Sequence, residues 1–244
     1  MRIVAAVAIL SSPAFASADG LTDLRSALAQ LPATTMVHGS LDVTSMSRSS
    51  QDDNPDIGKV TVAFETSDAG LRIIYPRAVL AQADQEARGQ AIDPERSTPV
   101  RSGLSRVRLL PVAELVDAAA ALNVSLQKAQ LIQSKPSNFH GKPARLLVLK
   151  LPSRLSKAAT RHVKRLESTL SLWIGDDGIP IGAERTTTAK ASFLLLSFQS
   201  NQKETWTYAR AGDRLVATRY EETQKGEGLG QHATTQLTEV LTLQ

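Results

Sequence analysis

Ser168-Thr-Leu-Ser-Leu-Trp-Ile174 alternates small polar with large apolar residues, Gly175-Asp-Asp-Gly178 supplies a turn, and Ile179-Pro180 opens a second run that reaches about Ala191. In that second run Ile179, Ile181 and Ala183 share one parity, while Glu184, Thr186, Thr188 and Lys190 share the other. Alternation with period two on both sides of a Gly/Asp turn predicts a β-hairpin. Further strands are predicted at Gln202–Ala211, at Arg214–Thr223 beyond the turn Ala211-Gly-Asp213, and at Thr234–Leu243. Antiparallel strands of ~10 residues accumulate twist. The expectation is a strongly curved antiparallel sheet whose concave face needs a cover.

Upstream, the pattern changes to helices. Leu21, Leu24, Leu28 and Leu31 recur at helical spacing and predict a helix over Asp19–Leu31. Three strands follow: Met36–Met46, Lys59–Thr66 with Val60, Val62 and Phe64 on one face, and Leu71–Tyr75 with Leu71, Ile73 and Tyr75 on one face. Pro76 suits the first turn of a helix over Arg77–Arg88. Gly89–Gly103 holds two prolines and several charges and predicts a mobile loop. A single helix is expected over Pro111–Leu122, with Val112, Leu115, Val116, Ala119 and Leu122 on one stripe.

Strand signals resume at Leu126–Gln133, and Arg145–Leu151 is the most apolar strand of the chain. Ser153–Glu167 reads as a basic amphipathic helix, with Arg154, Lys157, Arg161, Lys164 and Arg165 facing outward. That face is a candidate contact for lipid headgroups or an acidic partner. The layout is α+β: a bent antiparallel sheet with helices on one side.

The chain has 244 residues, 42% of them hydrophobic, a net charge of +4 and no cysteine. Its basic residues are scattered, and no helix reads as a groove-entering element, so nucleic acid is not an expected partner. Residues 1–18 carry the marks of a secretory signal: Arg2, the apolar run Ile3–Leu10, and small-x-small sites at Ala14-Phe-Ala16 and Ala16-Ser-Ala18. The expected mature chain is residues 19–244, a single periplasmic domain. No later run is long and apolar enough to span a bilayer. Without cysteine, neither a disulfide nor a lipid-anchored N-terminus is expected.

Chemical motifs are sparse. The four histidines His38, His140, His162 and His232 are isolated, so no metal site or cofactor is expected. Ser125-x-x-Lys128 lacks the companion motifs of the penicillin-binding serine enzymes. Lys225-Gly-Glu-Gly-Leu-Gly230 is followed by a threonine-rich strand rather than a helix, and reads as a wide turn or bulge instead of a phosphate cradle. No acid, base and nucleophile come together, and the chain is not expected to be an enzyme. Instead, one-sided apolar strands predict a concave surface larger than short helices fill. Its candidate lining is Val60, Val62, Phe64, Ile73, Tyr75, Leu115, Leu147, Leu149, Leu172 and Trp206.

The order of parts resembles the periplasmic lipoprotein-carrier superfamily, the LolA/LolB/RseB-like proteins. The likeness rests on a secretory signal followed at once by Asp23-Leu-Arg-Ser-Ala-Leu-Ala-Gln-Leu31, on strands ending in Leu71-Arg-Ile-Ile-Tyr-Pro76, and on Trp173-Ile-Gly-Asp-Asp-Gly-Ile-Pro180 at a turn between long strands. The resemblance implies a half-barrel, a strongly curved antiparallel sheet covered on its concave side by helices as a lid over an apolar cavity, and a carrier or chaperone for a lipid or a lipoprotein acyl chain. The alternative is an envelope sensor that meets a protein partner through a sheet edge or the basic helix.

Overall fold

The computed structural model describes residues 20–51, 54–152, 163–193 and 196–244, the side chains of residues 193 and 196 excepted. The elements run α1 (Gly20–Ala29), β1 (His38–Ser49), β2 (Asp56–Ser67), β3 (Gly70–Ile74), α2 (Arg77–Ile92), α3 (Pro99–Arg106), α4 (Leu109–Val116), α5 (Ala118–Leu126), β4 (Gln130–Phe139), β5 (Lys142–Leu151), β6 (Val163–Ile174), β7 (Pro180–Phe193), β8 (Leu196–Ala211), β9 (Arg214–Gly228) and β10 (Gln231–Leu243). All strands join one ten-stranded sheet in the order β3-β2-β1-β10-β9-β8-β7-β6-β5-β4. Every neighbouring pair is antiparallel. The sheet is open, because its edge strands β3 and β4 do not pair with each other. This is the predicted α+β arrangement.

The three-stranded meander and the seven-stranded one are fused by β1 and β10, in register from Gly39↔Leu243 to Ser49↔Ala233. One face then carries a continuous apolar surface. Val60, Val62 and Phe64 of β2, Leu41 and Val43 of β1, and Leu147, Leu149, Leu170 and Leu172 of β5 and β6 are all buried in one cluster with α1, α4 and α5. Helix α1 enters that cluster through Leu21, Leu24 and Leu28, the positions its periodicity singles out. Arg25 ties it to α5 by donating to the Leu126 carbonyl at 2.6 Å. That carbonyl closes the α5 C-terminus, where a cation is favoured.

Several local expectations need correction. The loop expected over Gly89–Gly103 is largely helical: α2 continues to Ile92 and α3 begins at Pro99. The cause is long-range. The buried Glu86 carboxylate on α2 accepts from the backbone N–H of Val100 (3.2 Å) and Arg101 (2.9 Å), satisfying the first turn of α3. The single helix expected over Pro111–Leu122 is two helices, α4 and α5, bent by 97°. Asp117 sits at the break and accepts from Ala120 N–H at 3.2 Å, which starts α5. The strand expected from Leu126 begins only at Gln130, because Leu126 ends α5 fully buried.

The basic helix expected over 153–167 is also not found as such. Residues 153–162, with Arg154, Lys157 and Arg161, lie outside the described residues, as do residues 1–19. Lys164 and Arg165 lie on strand β6, where Val163 pairs with Ala191 and Arg165 with Lys190. Strand β7 runs to Phe193, so its ladder recruits this segment as a partner. Likewise, β9 continues to Gly228, and the turn of the glycine-rich stretch is confined to Leu229-Gly230, both at positive φ. No single helix among the described residues is long and apolar enough to cross a membrane; the bent pair α4–α5 alone passes by composition.

Helix α3 presses its backbone onto β2. A Cβ added at Gly103 would lie 2.8 Å from the Lys59 carbonyl carbon, and one at Gly58 would lie 2.8 Å from Gly103 N. Alanine favours a helix over glycine by about 1 kcal/mol, but here it overpacks. We expect Gly103→Ala to destabilise the protein by ~1–3 kcal/mol, read by urea unfolding. A neutral or stabilising result would show that α3 does not sit against the sheet backbone.

Candidate functional site

Seven of the ten candidate lining residues, Val60, Val62, Phe64, Leu115, Leu147, Leu149 and Leu172, are buried in the core beneath the helices. Phe64 is 1% exposed and Leu147 and Leu172 are fully buried. Ile73 and Trp206 pack half-buried against the same cluster, while Tyr75 is 39% exposed beyond the end of β3. All but Tyr75 thus share one interior, into which the helices pack. Of the basic candidates, Arg165 is ion-paired with Glu167 at 2.6 Å on the exposed surface.

The strand registers continue the inner face past the helices as a series of rows. Leu172, Ala183, Trp206, Tyr220, Glu239, Val43 and Val60 lie side by side on adjacent strands. The next row is Leu170, Arg185, Glu204, Glu222, Leu237, Ser45 and Gly58. Charged side chains therefore occupy inward positions in the middle of the sheet. Arg185 grips Glu204 with two hydrogen bonds, 2.5 and 2.6 Å, and lies over the Trp206 ring at 5.5 Å. The single Tyr220 hydroxyl proton is shared between Glu204 (3.1 Å) and Glu222 (2.9 Å). Gln202 donates to the other Glu222 oxygen at 3.0 Å. Trp206 and Tyr220 pack ring to ring at 5.3 Å.

Burial, with Glu204 and Glu222 alongside, pushes the Tyr220 hydroxyl well above its ordinary pKa. It stays a neutral donor between two carboxylates. Glu239 is 2% exposed. Burial raises its pKa to about 7; Arg108 opposes the rise and Glu222 adds to it.

Beyond this belt comes a row of hydroxyls and amides: Ser168, Thr187, Gln202, Gln224, Thr235 and Ser47. Arg106 of α3 reaches the Ser47 hydroxyl at 3.1 Å and marks the limit of the helical cover. Past it the inner face opens into a groove of about 360 Å³. Its floor is made of small residues, Ala189, Ala191, Ser200, Gly226, Gly228 and Ala233, with Ser49 at one side. Phe198 lies across Gly228 and is 41% exposed, and Leu229 is 60% exposed on the adjoining turn. A second hollow of about 390 Å³ adjoins it, where residues of the opposite parity, including Lys164, Lys190, Ser192 and Gln199, contribute. None of the ten candidate lining residues borders either hollow. Among the described residues no group of three or more His, Asp or Glu is placed to hold a metal ion.

The belt and the groove are absent from the sequence-derived candidates, although the sequence carries a signal for the belt. Arg185 falls on the apolar parity of Ile181 and Ala183, and Glu239 on that of Leu237, Leu241 and Leu243. A charge in the apolar phase of an alternating strand marks a buried polar site.

No protein-family profile matches the sequence, and no curated protein does. Among solved structures, the chain is similar to MucB in complex with MucA(peri), at 10% identity and a TM-score of 0.25, with 91% of this chain and 94% of that chain covered. The Pseudomonas aeruginosa MucA/MucB complex is matched at 8% identity and a TM-score of 0.22, covering 92% and 94%.

Glu239 makes stability depend on pH. Its folded pKa of about 7 exceeds its ordinary value of 4.5. The native state therefore holds the proton more tightly than the unfolded one. The stability this contributes is fully present below about pH 4.5 and is lost as pH rises through about 7. We expect Glu239→Gln, a mimic of the protonated acid, to remove that slope, raising stability at pH 8 and changing little at pH 4.5. Unfolding curves at the two pH values check this; an unchanged slope contradicts it.

Proposed function

We propose that this protein is an envelope binding protein of the lipoprotein-carrier type, acting in the periplasm, whose open groove holds an apolar chain, the acyl group of a lipid or lipoprotein. The observation that carries the reading is the groove itself. Small residues on four adjacent strands leave a trough of about 360 Å³, a size usual for ligand sites, on the face that elsewhere forms the core. Phe198 and Leu229 stand exposed at its border, where an apolar ligand would cover them. The secretory signal expected over residues 1–18 agrees with an envelope location. The belt favours binding over catalysis, because Arg185, Glu204 and Tyr220 are engaged with one another.

The reading places the ligand at the groove rather than beneath the helices. A partner added to a sheet edge finds less support: β4 carries Lys135 and Pro136, features that discourage strand addition. Ala191→Trp and Ala233→Trp should each fill the groove and abolish binding of a fluorescent fatty acid while leaving the fold intact by circular dichroism. Phe64→Ala should instead cost ~3–5 kcal/mol of stability and leave the groove in place. Full fatty-acid binding by both tryptophan variants would refute the proposal, as would the recovery of no lipid, by mass spectrometry, from the protein purified from the periplasm.

A further inference from the structure

The end of the sheet where β6 to β10 outrun the helices gathers apolar and basic side chains on its surface. Phe198, Leu229, Lys164 and Lys190 line one hollow there, of about 390 Å³. Phe198 is 41% exposed and Leu229 60%, and both lysines are exposed. The Phe198 ring rests on bare backbone: a Cβ added at Gly228 would fall 2.5 Å from it. Leu229 sits where its own backbone disfavours it. Leu229-Gly230 is the two-residue turn between β9 and β10, and both residues have positive φ, 57° and 75°. Such a hairpin turn favours asparagine or aspartate before the glycine, because most side chains crowd the backbone at positive φ. Burial does little to offset this for a leucine so exposed. A side chain that the fold does not repay, at an exposed turn, points to a contact made outside the chain.

The surrounding charge identifies the partner. Lys164 and Lys190 are not ion-paired with a described residue, nor is the exposed Lys225, which lies on the same side of β9 as Glu227. Among the described residues the one carboxylate lining the hollow is Glu227, in the cross-strand row Lys190, Gln199, Glu227 and His232. Positive charge is therefore in excess around the two apolar side chains.

We infer that this end of the sheet is a docking surface for an anionic phospholipid membrane, with Leu229 and Phe198 entering the headgroup layer while Lys164 and Lys190 meet the phosphates. A bilayer presents anions and an apolar layer close together over its whole surface, which suits exposed apolar side chains collared by amines. Two apolar side chains and a few lysines give shallow, reversible and salt-sensitive binding. The groove opens at the same end, so docking would bring its mouth to the membrane. The docking itself does not depend on what the groove holds.

Flotation of the full mature protein with lipid vesicles tests this, using phosphatidylcholine alone and phosphatidylcholine with about a third phosphatidylglycerol. At low salt the protein should float with the anionic vesicles and not with the neutral ones, and added salt should release it. Lys164→Gln and Lys190→Gln should each weaken binding about fivefold, the value of one cation beside an anionic leaflet. Leu229→Asn should weaken binding while keeping or raising the melting temperature, because asparagine suits the turn. That combination is not a folding defect. Ala191→Trp, which fills the groove, should float like the wild type even where it no longer binds fatty acid, so failure of the groove reading and failure of the docking are separate results. No flotation of the wild type with anionic vesicles overturns the docking. Flotation left unchanged by Leu229→Asn and by both lysine variants overturns it as well.

Discussion

The pairing of β1 with β10 is the constraint on which the rest depends. It joins a strand near the start of the chain to the last one, in an uninterrupted register from Gly39↔Leu243 to Ser49↔Ala233. The contact is close: a Cβ at Gly39 would fall 1.9 Å from the Thr242 carbonyl oxygen. Only a residue without a side chain fits there. The approach to β1 is fixed by the turn between β8 and β9. Asp213 accepts from the backbone N–H groups of Thr34 (3.0 Å) and Thr35 (2.8 Å), and the largely buried Arg214 donates to the carbonyls of Ala33 and Thr35. The hydroxyl and backbone donors of Thr34 and Thr35 hold the half-buried Asp213 carboxyl well below the usual range. Without this seam, β1 to β3 would be a small meander with one apolar face, too little to stand alone.

The seam also decides how the inner face is divided. Because β1 and β2 lie beside β9 and β10, helix α3 packs on β2 and β1 while α4 reaches β9 and β3, and both cover the same face. The helices are short, eight residues each for α3 and α4, whereas β8 has sixteen and β9 fifteen. Strands of that length outrun the cover. The inner face therefore passes from apolar core, through a charged belt at the helix margin, to an open groove. Buried ion clusters contribute little to stability compared with apolar packing, so the belt is not what holds the sheet together.

Much of the architecture is legible in the sequence. Period-two alternation around Gly175-Asp-Asp-Gly178 identifies β6 and β7, and the leucines of α1 identify its buried stripe. What sequence reading misses has physical causes. Helix α3 depends on Glu86, a cap supplied from fourteen residues upstream that no local pattern reveals. Val163–Glu167 has helical periodicity but is claimed by the ladder of β7. The apolar parities correctly place Val60, Phe64, Leu147 and Leu172 on one interior surface. They do not tell a lined cavity from a filled one, because alternation records which way a side chain points and not how far the covering helices extend. The groove escapes for the same reason: its floor is alanine, serine and glycine, which carry no strong apolar signal. Arg185 and Glu239, by contrast, stand out once parity is followed through each strand.

The central claim is a location: ligand at the open end of β7 to β10, not beneath α4 and α5. Photolabelling with a diazirine-bearing fatty acid, followed by peptide mapping, tests it most directly. The account predicts labels at Phe198, Leu229 and their groove neighbours Ala191 and Ala233. Labels concentrated on Phe64, Leu115 or Leu147 would contradict it and place the ligand in the interior that the helices fill.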